Sequence, residues 1–408
     1  MSQNKNKIIN DPLHGFLTIP SELIYDVVQH PYFQRLRRIR QLGMSDWVYP
    51  GATHTRFHHA LGALNITLKA MESLRRKGVD ISEEEFEGAA LAILLHDIGH
   101  GPFSHTLEHT LIQGVHHEDI STRIMHRLNV EFKGALSIAI RIFLNKYEPK
   151  PFLSQLISGQ LDMDRLDYLL RDSFYTGVSE GIVGGERIIS MLNVADGNLV
   201  VEQKGIYSVE KFLIARRLMY WQVYLHKTVI AADSVLVSIL RRARMLATQG
   251  HVLGNYHPLL HFLMNEINEE TFDDEALDLF LALDDIDIMA SVKQWQFHTD
   301  PILSTLCKRL LYRKLPKVFI SNMETSPNLV AEATEKAMQK FNVSESEALN
   351  YFVKTGILEN HAYKTEGGGI RILRKNGSVS DVAESSDNYN LAALKETVKK
   401  YYLIHWGK

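Results

Sequence analysis

The chain has 408 residues, enough for one large domain with an appendage or for two domains, and its 45% hydrophobic content supplies a sizeable core. A net charge of −3 and a pI of about 6.7 argue against a dedicated nucleic-acid binder, although basic clusters such as Arg35-Leu-Arg37-Arg38-Ile-Arg40 remain. A single cysteine, Cys307, excludes an intramolecular disulfide and a cysteine zinc site. With no apolar leader and no long apolar run, the expected compartment is the cytoplasm and no membrane partner is expected.

Apolar spacing predicts helices over Ser21–Gln29 and Tyr32–Arg40, and a longer one over His58–Lys77, stopped at Gly78. Ser82-Glu-Glu-Glu85 has the form of a capping box. It opens a helix expected to run through the apolar stretch Ala89–Leu95 and to end near Gly99. Further helices are predicted over 117–128, 134–145, 152–158 and 163–172. Turn chemistry at Asp196-Gly197 and Lys204-Gly205 predicts a small hairpin made of Leu199–Glu202 and Gly205–Tyr207. Val209–Thr248 lacks Pro and Gly and reads as a long central helix with a possible kink. Beyond residue 320 the texture changes. Ile370–Leu373 and the Lys375-Asn-Gly-Ser378 type I′ turn signal predict short strands. The chain therefore reads as mostly α, with a multi-helix unit over 1–320 and a small α+β region over 321–408.

Chemistry concentrates where histidines do, between His54 and His117. The apolar run to Leu95 ends on His96-Asp97. An imidazole and a carboxylate at the end of a buried helix are costly to desolvate unless something pairs with them. A divalent cation serves, and this donor set suits Zn, Mn, Fe, Mg or Ni. Adjacent helical residues point about 100° apart, so other helices must complete the shell. His59 upstream and Asp164 downstream are the candidates. His100, His105, His109, His116 and His117 exceed what one ion needs and are better used as hydrogen-bond donors or proton-transfer groups. Arg56, Arg165 and Arg216 with Lys227 lie near these motifs. A metal ringed by cationic donors describes a phosphate-ester hydrolase. Tyr168 and Asp172 follow Asp164 by one and two helical turns, where a ring and a carboxylate can meet a sugar.

Six segments in order resemble one family closely: Asn10–Gly15, Phe33–Arg37, Gln41–Gly43, Pro50–Phe57, His96–His105 and Asp162–Tyr168. Together they resemble the HD-domain deoxynucleoside triphosphate triphosphohydrolases of the sterile-alpha-motif-and-HD-domain type, in a short bacterial form. The resemblance is dense over residues 7–230 and returns at Tyr312–Lys317. It implies water attack on the α-phosphorus of a dNTP, giving deoxynucleoside and inorganic triphosphate. It implies His59, His96, Asp97 and Asp164 as metal ligands and His105 as proton donor to the leaving oxygen, with Glu108 behind it. His100, His117, Arg56, Arg165 and Arg216 fall at phosphate-contacting positions. Gln41 and Leu42 fall at the deoxyribose, and Tyr168 and Asp172 at sugar-stacking and 3′-hydroxyl positions. A homo-oligomer with an activating nucleotide at subunit interfaces is also implied, contacted by Lys7, Gln34, Arg37, Arg313 and Lys317. His30 replaces the aspartate that reads guanine there, so guanine-specific activation does not carry over. Two other readings keep part of this evidence: a nucleotide phosphatase or phosphodiesterase with the same metal site, and a nucleotide-sensing or nucleic-acid-binding module.

Overall fold

The computed structural model describes residues 7–254, 256–360, 363, 369–387 and 394–407, and leaves the side chains of His105 and His109 outside that description. At its centre is the helix Glu83–Leu95, opened by the capping box: Ser82 Oγ accepts from the Glu85 N–H at 3.2 Å and Glu85 returns to the Ser82 N–H at 2.8 Å. From Ala89 to Leu95 every side chain is fully buried. A helix apolar on all sides must be packed on all sides, and Arg56–Arg76, Ser137–Phe143 and Pro151–Ile157 surround it. Met163–Thr176 lies against Arg56–Arg76. Arg56–Arg76 and Met163–Thr176 supply His59 and Asp164 to the site that forms where the central helix stops.

The helix stops at Leu95 rather than near Gly99, so His96 and Asp97 project from its end. The predicted Tyr32–Arg40 helix is instead a short α-turn, Pro31–Gln34, and a 3₁₀ turn, Arg35–Arg38, before Arg40 pairs with Thr55 in a β-bridge. The 134–145 helix is shorter than expected, Ser137–Phe143, because Gly134 takes a left-handed φ of 92°. The predicted central helix is two: Ile206–Met219 passes through a π-turn, Tyr220–Tyr224, and Lys227–Thr248 leaves it bent by 55°. His226 makes the break by accepting the Thr228 N–H on its ring at 3.1 Å, as an N-cap. Among the described residues no single helix is long and apolar enough to cross a membrane.

Among the described residues, three small sheets complete the fold. Ile8–Asp11 and Gly15–Thr18 form an N-terminal hairpin. The second hairpin differs from expectation: Leu192–Ala195 pairs with Asn198–Glu202, while Gly205–Tyr207 starts the next helix. Its edge strand continues in parallel with Arg371–Leu373, Val201 facing Ile372, and then Val379–Asp381. Lys317–Ser321, Val398–His405 and Lys354–Asn360 make the third sheet. The core is continuous from the helical body into the C-terminal region, where Phe352, Ile372 and Val382 are buried in the same cluster as Leu91.

Candidate metal centre and substrate cavity

Four side chains from three helices meet beyond Leu95. His59 Nε2 lies 3.3 Å from His96 Nε2 and 3.0 Å from Asp164 Oδ1. His96 Nε2 lies 3.4 Å from Asp164 Oδ1 and 3.3 Å from Asp97 Oδ1, and Asp97 Oδ2 is 3.8 Å from His59 Nε2. Both imidazoles have their outer nitrogens spent. His59 Nδ1 donates to Asp167 Oδ2 at 2.9 Å, and His96 Nδ1 donates to the Ile93 carbonyl at 2.6 Å. Both Nε2 lone pairs therefore face the same small space as two carboxylates. Such a set repels itself without a cation, and the histidines register this. Burial works against protonating His59, but hydrogen bonds to Asp164 and Asp167 push its pKa up to about 10. His96 is raised against burial by Asp97 and Asp164. Two ligands on an ion with bonds of about 2.1 Å lie about 3.0 Å apart at octahedral and about 3.4 Å at tetrahedral angles. The separations among His59, His96 and Asp164, and from His96 to Asp97, fall between these values, so the residues fit a divalent metal; Asp97 Oδ2, held by Arg56, stands further from His59.

A cavity of about 440 Å³ opens beside the quartet. One wall carries Arg56, His100 and His117. Arg56 grips Asp97 Oδ2 through a short contact and donates from Nε to Ser104 Oγ at 2.8 Å. His100 stacks on His117 with centroids 3.8 Å apart. Glu108 holds His117, accepting its ring N–H at 2.7 Å and its backbone N–H at 2.9 Å. The side chain of His105 lies outside the described residues. The same cavity is lined by Tyr168, Asp172, Tyr220 and Tyr224, and by Gln41 and Leu42. Asp172 is orientated on both oxygens, by His54 Nε2 at 2.8 Å and by the Tyr224 hydroxyl at 2.7 Å.

The loop from His96 to Thr106 is held in an unusual shape. Gly99 packs so closely on the start of the His117–Glu131 helix that a Cβ would strike the His117 carbonyl and the Ser121 nitrogen. Phe103 and Ser104 both take left-handed backbone angles, φ 51° and 46°, without being glycine. Buried Asp285 fixes them: Oδ1 accepts the Phe103 N–H at 2.7 Å while Oδ2 accepts the Arg40 N–H at 2.9 Å. Arg35 adds bonds to the His100 and Leu283 carbonyls at 2.9 and 2.8 Å.

Two expected phosphate contacts lie elsewhere. Arg165 turns onto Asp162 and the Gly159 carbonyl and lines a neighbouring cavity of about 490 Å³. Arg216 reaches Gln160, which lines the same cavity, at 3.4 Å. The nucleotide-contact set is held by separate local partners. Arg37 bonds Gln34 at 2.8 Å, Arg313 bonds the Trp47 carbonyl at 2.9 Å, Lys7 sits over the Tyr25 ring at 5.3 Å, and Lys317 pairs with His405 in a strand. His30 has both ring nitrogens engaged, Nδ1 accepting from the Tyr32 N–H and Nε2 donating to Glu131, each at 3.2 Å.

Asp167, His14, His54, Tyr220, Tyr224, Asp233 and Asp285 were not singled out from sequence. Only Asp167 had a local signal, its four-residue spacing to Arg171, with which it forms a buried pair.

The HD domain family matches residues 56–172, and the HD associated region matches residues 183–254. The chain is 32% identical over 396 residues to the Bacillus subtilis protein YwfO, covering 94% of this chain and 88% of that one. It is 31% identical over 244 residues to the Dictyostelium discoideum deoxynucleoside triphosphate triphosphohydrolase SAMHD1 homolog, a match that covers 55% of this chain and 47% of the relative. Among solved structures it resembles a phosphohydrolase of Bacteroides thetaiotaomicron with a TM-score of 0.95 and 51% identity, covering 99% and 100% of the two chains.

Proposed function

The chain belongs to the HD-domain phosphohydrolase family, and from that premise we propose that it hydrolyses deoxynucleoside triphosphates to deoxynucleoside and inorganic triphosphate. The observation that carries this reading is one cavity, lined by Asp97 and Asp164 of the quartet, by Arg56, His100 and His117, and by Tyr168, Asp172, Tyr220 and Tyr224. When bound by these four residues, a divalent cation supplies Lewis-acid activation of water and of a phosphoryl oxygen. Arg56, His100 and His117 hold the charge of the phosphate chain. Tyr168 packs on the sugar, Asp172 accepts its 3′-hydroxyl, and Gln41 and Leu42 close the space a 2′-hydroxyl would need. Water forms the new bond to the α-phosphorus, the bond to the 5′ oxygen breaks, and His105 gives that oxygen its proton. Glu108 orientates His117. Arg165 and Arg216 act from the neighbouring cavity rather than on the first phosphates.

A homo-oligomer is part of this reading. Lys7, Gln34, Arg37, Arg313 and Lys317 are assigned to an activating nucleotide, completed by a second copy. His30 keeps no acceptor for a guanine edge, so the activator is read by its phosphates. The test is product analysis with Mn²⁺-loaded protein and each of the four dNTPs. Inorganic triphosphate is the expected product; orthophosphate or a nucleoside monophosphate alone transfers the site to a phosphatase or phosphodiesterase reading.

A further inference from the structure

The support of metal-centre residue His59 continues outside the helical motifs, into the N-terminal hairpin. Asp167 is fully buried and uses both oxygens. Oδ2 accepts from His59 Nδ1 at 2.9 Å and Arg171 Nε at 2.8 Å; Oδ1 takes His14 Nε2 at 2.6 Å and Arg171 Nη2 at 3.1 Å. Arg171, also fully buried, donates its remaining Nη1 to Asp11 Oδ2 at 2.8 Å. Asp11 Oδ1 in turn accepts the Leu13 and His14 N–H groups, both at 2.9 Å, and so shapes the hairpin's own turn.

The Asp167–Arg171 pair occupies a notch on the Arg56–Arg76 helix that only a glycine leaves. A Cβ on Gly62 would strike both Arg171 Nη2 and Asp167 Oδ1. The pair is thus fixed one helical turn from His59. Asp167 meets His59 Nδ1 on the far side of the ring from the quartet, with Arg171 and His14 on its other contacts. That hydrogen bond fixes His59 in the tautomer that presents Nε2 and strengthens it as a donor. Asp11 and His14 are therefore the outermost links of a chain that ends on His59.

We infer that the N-terminal hairpin is part of the metal centre, with Asp11 and His14 as positioning residues that set metal affinity through Asp167 and His59. The inference rests on the metal reading given above. Neither residue reaches the ion, and both lie before the matched HD segment at residue 56.

The experiment measures Mn²⁺ dissociation constants on full-length, metal-stripped protein, for wild type, Asp11→Asn and His14→Phe, with the thermal midpoint of each stripped protein recorded alongside. Outer partners of metal-bound histidines typically change affinity about 10–100-fold. The expected result is a weakening in that range for both variants, with the stripped-protein midpoint near wild type for His14→Phe and lower for Asp11→Asn, which takes an anionic partner from buried Arg171. His14 keeps part of its ring open to solvent, so His14→Phe is the variant to rely on if Asp11→Asn does not fold. Affinities within about threefold of wild type in the folded variants overturn the role of the hairpin alone. A wild type that binds no Mn²⁺ overturns this inference and the metal reading together.

Discussion

Replacing Asp285 with asparagine changes almost no volume, yet it breaks a carboxylate that ties the Arg40 and Phe103 segments together. Its oxygens accept from Phe103 at 2.7 Å and from Arg40 at 2.9 Å, so each segment hangs on a different atom. An amide offers one acceptor; its NH₂ then faces an N–H. The lost bond to an anionic acceptor is worth about 1.5–3 kcal/mol, and the orphaned N–H adds about 1–3 kcal/mol. The opposing term is the cost of the charge. Burial raises the Asp285 pKa from 3.8 to about 6, even though Arg40 and Phe103 pull it down. At 1.36 kcal/mol per pH unit, keeping it ionised at neutral pH costs about 3 kcal/mol. Asp285 is only 6% exposed, so solvent screens little of this. The two terms cancel in part: the lost bonds outweigh the relieved charge by at most about 3 kcal/mol, and the variant should fold.

Geometry does not cancel. Phe103 and Ser104 are held at φ 51° and 46°, a conformation that costs non-glycine residues about 1–3 kcal/mol each when surroundings enforce it. Without Asp285 the loop relaxes, and it carries Ser104 and His105 with it. A displacement of about 1 Å at reacting groups costs about 100-fold in rate. For Asp285→Asn the expectation is a 10- to 100-fold lower kcat on dNTPs, read by triphosphate release. Bound metal should equal wild type and the thermal midpoint should move by only a few degrees. A kcat within threefold of wild type refutes the clamp. Loss of metal together with activity refutes it too, since Asp285 touches none of the quartet.

Arg56 and Arg165 should separate in kinetics. Arg56→Ala is expected to lower kcat/KM about 100-fold or more, and to lower the thermal midpoint as well, because buried Asp97 loses its arginine. Arg165→Ala is expected to lower the midpoint more than it moves KM, because buried Asp162 keeps only the backbone N–H groups of Gly159 and of residue 165. Asp233 lines the cavity with Thr106 as its partner at 3.0 Å, and burial pushes its carboxyl up to about 7. A carboxyl raised in the folded state binds more protons than in the unfolded one, so stability falls as pH rises from about 4 through about 7. Asp233→Asn should therefore stabilise the protein increasingly from pH 5 to pH 8 in thermal melts, by at most about 4 kcal/mol; a gap independent of pH would show that Asp233 is not buried as a charge. Gly99→Ala forces a methyl into backbone atoms of the neighbouring helix and should cost several kcal/mol or displace His117, seen as a loss of kcat in whatever protein remains folded.

The quartet is legible in sequence because the apolar run to Leu95 marks a buried helix end, and a buried end that carries His96-Asp97 needs charge from elsewhere. The hairpins show where local reading stops. Asp196-Gly197, Lys204-Gly205 and Asn376-Gly377 all carry turn chemistry. A type I′ turn needs two adjacent positive φ angles. Asp196 and Gly197 take them, at 50° and 73°, whereas in the last pair only Gly377 does, and Lys204-Gly205 becomes a 3₁₀ turn into a helix. Which pair forms a tight hairpin depends on whether Leu192–Ala195 has a partner to cover, a tertiary fact. The break after Tyr224 is similar. No Pro or Gly announces it, yet the π-turn aims Tyr220 and Tyr224 into the cavity. A π-turn weakens helix hydrogen bonding and persists where a site uses it. Supporting carboxylates are the least legible of all. Asp11 and Asp285 act on backbone N–H groups and on an arginine 160 residues away, and neither kind of partner leaves a spacing to read. What they share is physical: each is a buried carboxylate met by backbone N–H groups or by a buried arginine beside the site, and a neutral residue of the same size would not reproduce every one of those bonds.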